Sequence, residues 1–243
     1  MSSTTIQEIC DRKSMRAFTD EPVTPEDERT LIQAAIEAPS ACNQQLFSIV
    51  IVRDQAKKER IAELANHQTM VAKAPLVLMF LADMRRWRRG YELAGENPRK
   101  PGPGDFMVTI EDVCIAAQNC VVAADALGYG SCYVGDAAEN YEQMREVLDL
   151  PDLVFPVFGL IVGKPNHAAL VRPKPARFPY EALVGEDSYK CLSDEELLAA
   201  YASKAETDDP VAFLASFHER KWASPTFAEM NRCVSVWMSQ FED

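Results

Sequence analysis

The segment "TIEDVCIAAQNCVVAADALG", beginning at Thr109, constrains the fold more than any other stretch of the chain. It starts on a capping residue and carries apolar or small side chains around most of its circumference, so it reads as a helix buried on nearly all sides. A helix of that kind must lie at the centre of a core or in a contact between subunits.

Four short apolar runs bounded by turn residues supply the strands to cover it: "LFSIVIV" (46–52), "PLVLMFLA" (75–82), "SCYV" (131–134) and "FPVFGLIVG" (155–163). Helical signals stand between them. Thr5 and Glu8 form a capping box that predicts a short helix to about Cys10, and Thr24 with Pro25 starts a second helix carrying Leu31, Ile32, Ala35 and Ile36. Two more are expected, from Asp54 and over "NYEQMREVLDL" (140–150). The pattern predicts an α+β (mixed α/β) fold with a central mixed sheet flanked by helices.

Beyond Gly163 a Pro-rich connection leads to a helical tail, where Ser193 and Glu196 form another capping box. The last helix begins at Ser224-Pro225 and sets Phe227, Met230, Val234, Trp237 and Phe241 on one apolar seam. That seam closes the chain's own core or embraces a second subunit, and we expect the partner subunit. Residues 85–108 hold three prolines and four glycines and read as a long surface excursion of the kind that forms lids.

A formal net charge of -12 argues against nucleic acid as a partner. The start of the chain shows no basic-then-apolar leader, and no apolar run read from the sequence spans a membrane, which points to a soluble, cytoplasmic protein. Seven cysteines form no C-x-x-C pair, and the three histidines have no partner at ligand spacing, so reduced thiols and no metal site are expected. Against this acidic background Arg12, Lys13 and Arg16, with Ser14 between them, form a cationic cluster, and Arg172, Lys174 and Arg177 form another. Two guanidinium forks and a hydroxyl suit a phosphate, and solvated surface charge is the other reading.

"RKSMRAF" (12–18), "APSACNQQLFSIVIVRD" (38–54), the helix from Thr109 with "LGYGSCYVGD" (127–136), and "FPVFGLIVGKP" (155–165) leading to "KPARFP" together resemble the nitroreductase superfamily of flavoproteins. The likeness spans about residues 5–182, in the family's order. It implies a homodimer with FMN at the interface, NADH or NADPH as electron donor, and a division into an FMN-binding domain over 1–190 and a helical C-terminal extension over 191–243. Carried over by position, the FMN contacts would be Arg12, Lys13, Ser14, Arg16, Ser40, Asn43, Gln68, Tyr133, Val134, Gly135, Lys174 and Arg177. Here Lys174-Pro-Ala-Arg177 has one residue more than the family's usual spacing, so Lys174 and Arg172 compete for one contact. Asp136 places a carboxylate where a small residue is usual.

The chemistry the resemblance implies is hydride transfer from NAD(P)H through FMN to a quinone, nitroaromatic or similar small electron-poor acceptor, with ping-pong kinetics and no side-chain nucleophile. A different redox reaction on the same fold, such as dehalogenation or dehydrogenation, and a flavin-binding protein without turnover are the alternatives. The arginines of the excursion, Arg88 and Arg89 among them, are either solvated charge balanced by Glu92 and Glu96 or a dock for the donor's phosphates.

Overall fold

A computed structural model describes residues 4–239 and Phe241. The elements run α1 (Thr4–Asp11), α2 (Pro25–Ile36), β1 (Phe47–Ile51), α3 (Gln55–Leu64), α4 (Thr69–Lys73), β2 (Leu76–Asp83), α5 (Arg85–Leu93), α6 (Pro103–Ala126), β3 (Gly130–Val134), α7 (Tyr141–Leu148), β4 (Val154–Gly163), α8 (His167–Val171), α9 (Tyr180–Leu183), α10 (Asp194–Ala205), α11 (Pro210–Phe217) and α12 (Pro225–Ser239). They pack as two units. One holds the chain up to Arg172 together with the chain from Glu229 on, and the other holds Pro173–Ala228.

In the first unit the strands form one sheet in the order β1-β2-β4-β3. An α+β architecture is as expected, but the mixed sheet is not: every described pairing is antiparallel. Every residue of β2 is buried, so both faces of the sheet are covered at its centre. Leu76, Leu78, Phe80 and Ala82 face a cluster that includes Leu31 and Ala35 of α2 and Val113 and Ala117 of α6. Val77, Met79 and Leu81 alternate onto the other face, against Ile61 of α3, Val71 of α4 and Met144 and Leu148 of α7. Each large apolar side chain buried in this way contributes about 1.5–3 kcal/mol. The β2–β4 register slips between Phe80 and Leu81, where Phe80 faces Phe158 and Leu81 faces Pro156. Proline has no N–H to give a ladder, and a bulge is where a sheet tolerates it.

α6 begins at Pro103, six residues before the expected start at Thr109, because Pro103 occupies the first turn and the Gly102 N–H donates to the Asp105 carboxylate at 2.8 Å. It is long and apolar enough to cross a bilayer by length and composition, but it is the central helix of this core. Burial on nearly all sides is corrected: Val113, Ala116, Ala117 and Cys120 are fully buried, whereas Met107 and Ile115 are 62% and 41% exposed.

The excursion also contains more structure than expected. Arg85–Leu93 is helical, and only 94–102 lacks a regular element. The aromatic seam of the tail docks on the chain's own core and not on a partner. Trp237 is fully buried between Phe106 and Phe155, at ring-centroid distances of 4.7 and 5.2 Å, and Met230, Val234 and Phe241 pack beside it. Arg232 clasps the same helix to α7, donating to both carboxylate oxygens of Glu142 at 2.8 Å and to Glu229 at 2.7 and 2.9 Å. The Cys233 thiol accepts the Tyr141 N–H at 3.3 Å.

The second unit is helical. The Ser193 hydroxyl and the Glu196 carboxylate satisfy each other's backbone N–H groups at the start of α10, as expected. Within it Phe178 meets Tyr201 edge-to-face at 5.2 Å, with the Lys204 ammonium 5.1 Å from the Phe178 ring.

Two expectations follow for stability. Trp237→Ala should cost about 3–5 kcal/mol in urea unfolding, because it empties the largest buried side chain of the core. Arg232 holds the Glu142 carboxyl down at about 2, against an ordinary 4.5. The pair's stabilisation is therefore complete above about pH 4.5 and lost as the pH falls toward about 2. Arg232→Gln should flatten the unfolding free energy over that window, read by urea titrations at several pH values.

Candidate active site

The cationic cluster lies on the extended segment between α1 and α2, which the sheet draws in at two points. The Met15 N–H donates to the Ser131 carbonyl at 2.9 Å, and Phe18 bridges Pro165. Two glycines make room for this approach. A Cβ on Gly130 would fall 2.7 Å from the Met15 sulfur, and one on Gly163, its register partner across β3 and β4, would fall 2.9 Å from the Phe18 ring. Met15 and Phe18 thus anchor the segment and hold Arg12, Ser14 and Arg16 beside β3.

The Cys132 thiol of β3 registers that convergence. Burial pushes its pKa up, and the Arg16 charge, the Ser14 hydroxyl and the Arg12 charge each pull it back. Three of the four predicted residues of this motif are therefore brought together around one point of the strand. Lys13 is turned elsewhere: its ammonium donates to the Leu170 carbonyl at 2.6 Å and to the Arg172 carbonyl, holding the chain that follows α8. Lys174 and Arg177 are exposed residues of the second unit, where the Arg177 guanidinium donates to the Pro175 carbonyl at 2.8 Å.

Ser40 and Asn43 sit in a strained loop. Cys42, Asn43 and Gln45 all adopt positive φ, at 52°, 57° and 52°. Left-handed backbone at three non-glycine residues in a row of four positions costs energy and persists only where the surroundings enforce it. The enforcing group is Asp112 of α6, 2% exposed, whose two carboxylate oxygens accept the Ala41 and Leu46 N–H groups at 3.0 Å each. The Ser40 hydroxyl accepts the Gln45 N–H at 2.9 Å. From α5 the Trp87 indole N–H donates to the Gln44 carbonyl at 2.7 Å, and the Arg86 guanidinium reaches the Gln45 and Phe47 carbonyls at 3.1 and 3.0 Å. Asp112, Arg86 and Trp87 are supports that sequence reasoning passed over. The one available signal was a lone carboxylate on the apolar side of α6.

Gln68 is placed with Asp136. Its side-chain amide donates to the Asp136 carboxylate at 2.5 Å, and the Asn66 amide bridges Asp136 and Glu139 at 3.1 and 2.8 Å. The carboxylate that departs from the family's pattern is thus held by two neutral amides. Tyr133 meets Phe158 edge-to-face at 5.0 Å, and burial pushes its hydroxyl pKa up. Val134 is buried, and Gly135 opens a short 3-10 turn, where a Cβ would meet no atom within 4 Å. That glycine is not required by the packing of its own chain and leaves the backbone of 134–135 accessible.

The excursion's arginines do not form a free cationic dock. Arg88 and Arg89 both pair with Glu92, at 3.3 and 3.1 Å, Arg99 with Asp105 at 2.6 Å, and Arg86 with Asp83 at 3.2 Å. A cleft of about 720 Å³ lies between them and the strained loop, lined by Cys42, Gln44, Trp87, Tyr91 and Arg99 among others. A second, of about 840 Å³, lies against α7 and α12, beside Tyr141 and Trp237. Neither cleft includes Arg12, Ser14 or Arg16.

Comparison with known proteins places this arrangement. The sequence profile of the nitroreductase family matches residues 9–164. The FMN reductase (NADPH) of Bacillus subtilis is 35% identical over 193 residues, 79% of this chain and 76% of that protein. The oxygen-insensitive NADPH nitroreductase of Salmonella typhimurium is 35% identical over 199 residues, 82% of this chain and 80% of that protein. Among solved structures, the NADPH:FMN oxidoreductase of Vibrio harveyi complexed with NAD+ superposes with a TM-score of 0.84 at 27% identity, covering 97% of this chain and 98% of that one.

Asp112→Ala should leave the buried Ala41 and Leu46 N–H groups without an acceptor and destabilise the fold by about 2–4 kcal/mol. Hydrogen exchange at those two amides should accelerate more than in the strands, and unchanged exchange there would show that the loop is held by other contacts.

Proposed function

The chain belongs to the nitroreductase family, and on that premise we propose that it is an FMN-dependent oxidoreductase drawing hydride from NAD(P)H for electron-poor acceptors such as quinones and nitroaromatics. The observation that carries the reading to this chain is the convergence of Arg12, Ser14 and Arg16 on β3, within the same strand that ends at the accessible backbone of Val134 and Gly135. Two guanidinium groups and a hydroxyl match a phosphate, and a bare stretch of backbone next to them suits a flat ring. FMN has both parts, and when bound it supplies the hydride chemistry that no side chain here offers.

The chain's own residues have distinct tasks in this reading. Arg12 and Arg16 hold the phosphate while Ser14 donates to it. Lys13 acts indirectly, by fixing the segment at 170–172 through its carbonyls. The Ser40–Gln45 loop, locked by Asp112, presents Ser40 and Asn43 in one conformation, so that little ordering remains to be done when ligands arrive. The Gln68 amide, already donating to Asp136, keeps that carboxylate from standing free beside the ring.

The apolar outer face of α6 supports a homodimer. Met107 and Ile115 are 62% and 41% exposed on the most apolar helix of the chain, and Ile9 of α1 is 50% exposed. Soluble proteins rarely leave such a face to water, and a two-fold contact would cover both copies at once. A cofactor site completed by the second copy also explains why Arg12, Ser14 and Arg16 border neither of the two clefts in the single chain.

The purified protein should show a flavin band that bleaches anaerobically on addition of NADH or NADPH, and a colourless protein that takes up no FMN would refute the reading. Arg16→Glu should weaken FMN binding at least about tenfold, measured by titrating the apoprotein, because one charge-assisted contact becomes a repulsion. Ile115→Glu should shift the protein to monomer in sedimentation and lose flavin with the dimer.

A further inference from the structure

The cleft of about 720 Å³ beside the strained loop has a size ordinary for a small-molecule site, and its walls have a definite chemistry. Trp87 and Tyr91 form a ring pair 5.8 Å apart on α5, and they stay 38% and 43% exposed where most aromatic side chains of this chain are covered. The opposite wall is Ala41, Cys42 and Gln44, from the same loop whose Ser40 and Asn43 are assigned above to the flavin.

The charges decide which ligand fits. The cleft's charged lining is Arg88 and Arg99 against Glu96 and Asp105, which sums to zero. Arg99 is held by Asp105 through both of its terminal nitrogens, at 2.6 and 2.8 Å, and Arg88 pairs with Glu92 at 3.3 Å. A polyphosphate would have to break these pairs and would still meet two carboxylates, so the donor's phosphate end is poorly matched. A neutral planar ring has no such cost. An electron-poor ring also stacks well on the electron-rich faces of indole and phenol.

We propose that this cleft is the acceptor's holding site, taking neutral, planar, electron-poor aromatic compounds between the Trp87–Tyr91 pair and the 41–44 loop. The assignment rests on the oxidoreductase reading given above and adds to it the place and the class of the acceptor. Trp87 has a double position there, since its ring lines the cleft while its N–H holds Gln44.

The test uses the FMN-loaded protein with menadione, nitrobenzene and ferricyanide as acceptors. Tyr91→Ala should raise KM for the two ring compounds about fivefold, the size of one lost ring contact, while KM for ringless ferricyanide stays where it was. Trp87→Phe keeps a ring and drops the N–H, and should raise the ring compounds' KM by less. No rise, an equal rise for all three acceptors, or a rise for NADPH in their place would overturn the assignment. Binding is also read without turnover: menadione should quench tryptophan emission saturably in the oxidised protein, and Trp87→Phe should remove that component. If no acceptor supports turnover but this quenching is present and lost in the variant, the oxidoreductase reading fails and the cleft stands. If the quenching is unaffected by Trp87→Phe, the cleft assignment fails whatever the turnover.

Discussion

The antiparallel pairing of β2 with β4 is the constraint on which the rest depends. Both strands are buried nearly throughout, so helices must cover both faces, and the alternation along β2 sorts those helices into two separate clusters. α6 takes the first face because it alone is apolar enough over 24 residues to fill it. β3, at the edge beyond β4, is then left with a side to which the N-terminal segment can attach, and that attachment creates the cationic site. The position of Arg12 and Arg16 is thus a consequence of sheet order.

The supports around the site follow a common rule: a strained or exposed functional segment is held by buried polar groups that do no chemistry. Asp112 sits in the middle of an apolar helix and accepts from two backbone N–H groups, which is the only arrangement that makes a carboxylate tolerable there. Arg86 extends the same support from α5, reaching two carbonyls of the loop and the Ser48 hydroxyl. In this way α5 and α6, which flank the irregular stretch 94–102, both end at the one loop.

Much of this was legible in the sequence because it rests on local signals. The four strands, the capping boxes and caps at Thr24, Asp54 and Ser193, and the R-x-S-x-R cluster each declare themselves within a few residues. The errors came where distant contacts override local signals. Pro98, Pro101 and Pro103 look alike as breakers, yet Pro103 is the first residue of a helix because Asp105 completes its cap. "RRWRR" has no apolar period, and its helix forms because Trp87 and Arg86 find carbonyls about forty positions earlier in the chain. Lys13 shows the same limit within the motif: a charge cluster says that cations are close together, not which of them faces a ligand and which faces a carbonyl.

The glycine pair at Gly130 and Gly163 carries a consequence for the order in which the protein is built. Met15 and Phe18 can seat only after β3 and β4 have paired, because the space they fill lies over two facing positions of that ladder. These contacts join chain segments more than a hundred positions apart, so they close late by loop entropy, whatever forms first elsewhere. On the ribosome, where a chain emerges from its N-terminus, the first-made segment has to wait undocked until the strand around Pro165 has been synthesised. The cofactor pocket is therefore assembled from the oldest and some of the youngest parts of the nascent domain, and its loading with cofactor reports that the sheet is already complete.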